Sequence, residues 1–198
     1  MLSSITPFGE RGRHNRFAVT ASFFVAGAIA GGVALGALSG LVGAAVVPDR
    51  PAPILAVVAV LALIGALLDA RFAGLRLPTI TRQVDERWLH KYRGWVYGVG
   101  FGAQLGFGLA TIVSSAAVYL MIVATIGTRS VAAGVVIGAV FGAVRGTSIL
   151  LVRRVRTAPD LRSLHRRLAA NAARSERVGV AAQGALTLVG VLAIVGLR

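Results

Sequence analysis

Long stretches without a single charge decide what this chain can become. No Asp, Glu, Lys or Arg lies between Phe17 and Val47, and none between Gly94 and Thr128. A helix in water needs a polar face, whereas about 20 consecutive apolar residues are what a helix needs to cross hydrocarbon. Shorter apolar runs with at most one charge each follow: Ala52 to about Ala70, Ser130 to Val152, and Val178 to Leu197. With 56% of residues hydrophobic and 14% charged, the bilayer is the expected solvent. The expected fold is all-α: a polytopic membrane protein of about five transmembrane helices, in one membrane domain over residues 1–198. The first and third runs exceed one crossing by roughly half, so they must tilt, protrude or break at their glycines. The first is also too long for the apolar core of a cleaved signal peptide, although Arg11, Arg13 and Arg16 precede it.

The net charge of +14 would suggest nucleic-acid binding in a soluble protein. Here the placement of the cations argues for topology instead. Seventeen of the 21 Lys and Arg fall in three segments, 11–16, 71–93 and 153–177, on one side of the five runs; Arg50, Arg129 and Arg198 fall on the other. The positive-inside rule then puts the N-terminus in the cytoplasm and the C-terminus outside, in the inner membrane of a cell. The excess of Ala, Gly, Val and Arg over Lys reads as bacterial. The partner expected for the basic segments is anionic inner-leaflet lipid, with no nucleic acid. Val84, Trp88, Tyr92 and Trp95 recur at helical spacing, as do Leu161, Leu164 and Leu168 behind the helix start Thr157-Ala158-Pro159-Asp160. Short amphipathic cytoplasmic helices on the inner leaflet are expected there.

Arg87-Trp88-Leu89-His90-Lys91 and Arg162-Ser163-Leu164-His165-Arg166 match at a spacing of 75. The apolar runs agree roughly with that period, which suggests a parallel repeat of 17–93 and 94–168 followed by a last helix, 178–197.

Glycine supplies the most regular pattern. Gly134, Gly138, Gly142 and Gly146 recur every fourth residue, as do Gly32, Gly36 and Gly40, and Gly98, Gly102 and Gly106. Small residues at that interval share one helix face and let two backbones approach closely. Ionisable residues inside the runs are functional candidates because the bilayer penalises them. These are Asp69 and Arg145, expected at similar depth and expected to pair, with Gln104 as a polar neighbour. Thr111, Ser114, Ser115 and Gln183 are expected to make hydrogen bonds between helices. The histidines, His14, His90 and His165, have no ligand spacing, so no metal is expected. The absence of cysteine removes disulfide and thiolate chemistry. No nucleophile with a base, carboxylate pair or phosphate loop is visible; neither an enzyme nor a cofactor is expected.

From Arg93-Gly94-Trp95-Val96-Tyr97-Gly98-Val99-Gly100-Phe101-Gly102 to Phe141-Gly142-Ala143-Val144-Arg145-Gly146, the chain resembles the cytochrome c biogenesis and disulfide-relay transmembrane family. The resemblance implies a related multi-helix membrane fold. That family relays electrons through a cysteine pair that this chain lacks, so the resemblance carries no redox activity. Two functions remain: a small transporter or channel-like protein for a small solute, its polar pathway including Asp69, Arg145 and Gln104; or a non-catalytic membrane subunit or scaffold, as a homo-oligomer or with a partner membrane protein. A reporter fused after Arg198 should behave as extracytoplasmic and one inserted near Arg166 as cytoplasmic; the opposite pattern would invert the topology.

Overall fold

The computed structural model describes residues 5–49, 51–70, 87–108 and 115–196. Of the residues singled out in the sequence, Arg50, Arg71, Arg76, Arg82, Val84, Thr111, Ser114 and Arg198 lie outside the described residues. All regular structure among the described residues is helical: α1 (Pro7–Gly12), α2 (Phe17–Val46), α3 (Pro51–Asp69), α4 (Trp88–Lys91), α5 (Gly94–Phe107), α6 (Ala117–Gly127), α7 (Val131–Thr147) continued by a 3₁₀ segment (Ser148–Val152), and α8 (Ala158–Gly196). Among the described residues, three helical stretches are long and apolar enough to cross a membrane: Phe17–Val46, Val131–Val152 and Ala158–Gly196. The helical segments Pro53–Asp69 and Ala117–Gly127 are apolar but shorter. This is the make-up of a membrane protein.

The two overlong runs resolve differently. Residues 17–46 form one uninterrupted helix of about 45 Å. Within the run 94–128 two helices are described: α5 ends before Gly108, whose φ of 73° leaves the helical region, and α6 starts at Ala117. The third basic segment also differs from expectation. Instead of a separate surface helix, it is the first half of the 39-residue α8. Thr157 and Asp160 start this helix by a reciprocal cap: the Asp160 carboxylate accepts from the Arg156 and Thr157 N–H groups at 3.0 and 2.9 Å, and the Thr157 hydroxyl accepts from the Asp160 N–H at 3.3 Å. No proline follows Pro159, so nothing stops the helix where polar sequence gives way to apolar.

The chain divides into two compact units. The first comprises Met1–Leu35, Ile80–Ile112 and Val135–Ala170; the second comprises Gly36–Thr79, Val113–Gly134 and Asn171–Arg198. In the first unit, α2 packs between α5 and α7 along two glycine seams. Gly98 abuts Thr20, Gly102 abuts Phe24 and Gly106 abuts Ala28, so α5 runs parallel to α2. Gly138 and Gly142 abut Gly32, Gly142 also abuts Ala28, and Gly146 abuts Val25 and Ala28, so α7 runs antiparallel to it. A Cβ added to Gly142 would lie 2.9 Å from the Ala28 carbonyl carbon, closer than side chains tolerate. Gly138, Gly142 and Gly146 are buried, whereas Val136, Val140 and Val144 on the other side of α7 are 59–67% exposed. A core of Ile5, Phe24, Leu89, Tyr97, Phe101, Ile149, Val152 and Val155 closes this unit.

In the second unit, α3 packs against α6 and α8. Gly65 faces Ala116 and Gln183, Gly127 faces Ile54, and Gly190 faces Ala59, which makes both neighbours antiparallel to α3. The rest of α2 contributes Gly36 against Gly134, Gly40 against Ser130 and Gly43 against Ile126. Arg129 forms an ion pair with Asp49, joining the turn after α2 to the turn after α6.

Gly142→Leu should destabilise the protein by about 3 kcal/mol, since backbone stands where its side chain would go. Val140→Leu, two positions away on the exposed side, should leave the thermal midpoint in detergent within error of wild type.

Candidate functional site

Besides the helix cap at Asp160 and the Asp49–Arg129 pair, two carboxylates among the described residues are withdrawn from solvent and held by polar groups, Glu10 in the first unit and Asp69 in the second. Asp69 is the last residue of α3. Its Oδ1 accepts the Ala116 N–H at 2.8 Å; its Oδ2 accepts the Ser115 hydroxyl and the Gln183 Nε2–H, each at 2.6 Å. Ala117 starts α6, so this carboxylate caps the start of α6 from a different helix. An anion is favoured there by the free N–H groups and by the helix dipole. The third donor comes from α8, where Gln183 is 3% exposed. Its amide lies across Gly65, with Oε1 2.8 Å from where a Cβ on that glycine would be. Gln183 Oε1 is buried and has no hydrogen-bond partner among the described residues.

Within its own unit Asp69 thus has three neutral donors. Arg145 belongs to the first unit, as does Gln104, which is half-buried on α5. The Arg145 guanidinium stands 5.3 Å over the ring of Phe141, one turn back on α7, a cation–π contact that partly replaces lost hydration. Gly134, Gly138, Gly142 and Gly146 are all buried; they form the packing face of α7.

The second carboxylate, Glu10, is one that sequence reasoning passed over. It is fully buried at 0% exposure, in α1, which starts with Pro7 and a cap from the Thr6 hydroxyl to the Gly9 N–H at 3.0 Å. The Tyr97 hydroxyl donates to the carboxylate, lying 2.7 and 2.6 Å from its two oxygens. The Thr20 hydroxyl donates at 2.8 Å and Arg13 Nη2 at 2.6 Å. Asn15 Nδ2 in turn donates to the Tyr97 hydroxyl at 3.2 Å. The neighbouring His14 has a φ of 59°, and the turn is closed by the Asn15 N–H donating to the Glu10 carbonyl at 2.9 Å. Burial acts to lower the Arg13 pKa, but the hydrogen bond and charge of Glu10 outweigh it and leave it above its ordinary value. The Glu10 carboxylate thus accepts from three side-chain donors, one of them the Arg13 guanidinium. It ties residues 5–16 to α2 and α5. The sequence signal was local: Thr6-Pro7 as a helix start, with Glu10 and Arg13 three apart.

The remaining aromatic groups brace the same unit. Trp88 stacks on Phe101 at 6.1 Å and meets Tyr92 edge-on at 5.4 Å, while Trp95 packs against Phe23 at 6.0 Å. Among the described residues, no cluster of His, Asp and Glu could hold a metal ion. No protein-family model, curated protein or solved structure matches the chain.

Tyr97→Phe removes a donor from a buried charge and should cost about 1.5–3 kcal/mol. Glu10→Gln leaves Arg13 without its counter-charge, so the two changes together should be non-additive. A double-mutant cycle on thermal unfolding in detergent should give a coupling energy above about 0.5 kcal/mol.

Proposed function

We propose that this chain is a small multi-pass transporter-like protein of the inner membrane, with its polar site at the start of α6. The observation that carries this reading is the end of α5 at Gly108, inside the charge-free run 94–128, together with the Asp69 carboxylate docked at the start of α6. Irregular backbone at membrane depth is tolerated where protein buries it or a polar cavity borders it. Half-helix termini facing ionisable groups are where transporters hold substrates and coupling ions. In this reading α2, α3, α5 with α6, α7 and α8 are five crossings, and the N-terminus is cytoplasmic. The Asp49–Arg129 ion pair supports that topology, because both residues fall in the arginine-poor turns assigned to the outer side. Arg153, Arg154, Arg156, Arg162, Arg166, Arg174 and Arg177 are exposed and suit anionic inner-leaflet lipid.

The alternative is a non-catalytic membrane subunit. It is favoured by the apolar half of α8, where Val178, Leu188, Val189, Leu192 and Val195 are 61–69% exposed and fit either lipid or a partner helix. Because the chain contains no cysteine, single-cysteine labelling separates the two. In proteoliposomes, Ser115→Cys should react with a hydrophilic methanethiosulfonate reagent while Val140→Cys stays unreactive. If Ser115→Cys is inert from both sides of the membrane, the transporter reading fails and the subunit reading stands.

A further inference from the structure

We infer that the Asp69–Ser115–Gln183 junction is a proton-binding site, and that the proton is the coupling ion of the transporter reading on which this inference rests. The surroundings of Asp69 distinguish it from a cation site and from a structural ion pair. Its contacts are an N–H, an O–H and an amide N–H, all of which stabilise the carboxylate by donating to it. No fixed positive charge is among these contacts, so protonation does not strand a buried cation, as it would at Glu10 with Arg13.

Two of the three donors can also reverse their role. The Ser115 oxygen can turn its proton away and accept; it already accepts the Ala117 N–H at 3.2 Å. The Gln183 amide carries a donor and an acceptor on opposite arms, and the acceptor arm, Oε1, is the buried atom without a partner among the described residues. When Asp69 Oδ2 takes up a proton, a half-turn of the amide brings Oε1 to accept it, and Nε2 moves to where Oε1 stood. One amide arm is unpartnered before the turn and one after it, so the exchange loses no hydrogen bond. The Ala116 N–H remains on Oδ1 throughout. The proton balance is one carboxylate becoming one carboxylic acid, with no other group ionised.

This arrangement joins α3, α6 and α8, so protonation changes how α8 is held at Gln183. The ionisable groups nearest the junction on the packed helices are Tyr119 on α6, four residues beyond Ser115, and Glu176 and Arg177 on α8, within two turns of Gln183. Gly65 completes the site by leaving room for the amide.

The test uses purified full-length protein. Infrared difference spectra across a pH series should show the C=O stretch of a protonated carboxylic acid that is lost in Asp69→Asn. Gln183→Leu removes a charge-assisted bond from the carboxylate but only a weaker, neutral one from the acid, so the midpoint of that band should rise, by up to about one pH unit. The second variant answers the question on its own if Asp69→Asn does not fold. A band that survives Asp69→Asn, or a midpoint unmoved in Gln183→Leu, overturns the proton site. In parallel, pyranine-loaded proteoliposomes report proton flux under an imposed membrane potential. An Asp69-dependent band without flux upholds the proton site and removes the transporter reading. Flux unchanged in Gln183→Leu, with the band unmoved, upholds transport and overturns the proton site.

Discussion

The first unit depends on how closely three helices meet at Ala28. Gly106 from α5, and Gly142 and Gly146 from α7, all abut this one residue, and Ala28 itself is completely buried. Lipid tails are as apolar as leucine, so a helix in a bilayer gains little by hiding ordinary apolar side chains from them. Backbone-to-backbone contact offers what lipid cannot: dense dispersion contact and aligned peptide dipoles at short range. The requirement is severe, since any side chain at Gly106 or Gly142 would occupy the volume of the Ala28 carbonyl. The glycine content of the chain is therefore a packing requirement on α2, α5 and α7, and the valines facing away from the α7 seam are free to meet lipid.

Much of the helix layout could be read from charge-free length and glycine spacing alone. The break at Gly108 could not. The stretch contains glycines at 94, 98, 100, 102, 106, 108 and 127, and composition does not tell which stays helical. Gly98, Gly102 and Gly106 remain in α5 because α2 packs against them, whereas Gly108 takes a positive φ just past the last α5 residue. Tertiary packing thus decides between identical residues two positions apart. The continuity of α8 escaped prediction for a related reason: a change from polar to apolar sequence resembles a boundary, but without a breaker the backbone has no cause to stop.

The buried Glu10 was hidden for a different reason. Its donors are ten and 87 residues away in sequence, at Thr20 and Tyr97, and both sit in apolar runs where a lone hydroxyl is unremarkable. In an arginine-rich segment a single glutamate reads as one more solvated charge. Asp69 presents the converse case. It was conspicuous in its apolar helix, yet the donors that hold it, at Ser115, Ala116 and Gln183, are 46–114 residues away. Depth and opposite charge are weak guides when a helix start offers N–H groups nearby, because a free N–H accommodates a carboxylate without desolvating a second charge.

That difference separates the two carboxylates in what they can do. Removing the charge of Glu10 leaves a guanidinium beside a neutral acid, so its surroundings oppose any change and the group acts as a fastening for residues 5–16. Around Asp69 every partner is neutral, and two of the three can either donate or accept. Neutral, reversible partners narrow the gap between charged and uncharged forms, since their hydrogen bonds stabilise the carboxylate and its protonation leaves no second charge behind. The tightly built seam and the reversible cradle therefore answer opposite demands: the first holds one arrangement by excluding every side chain, and the second admits two by committing to none.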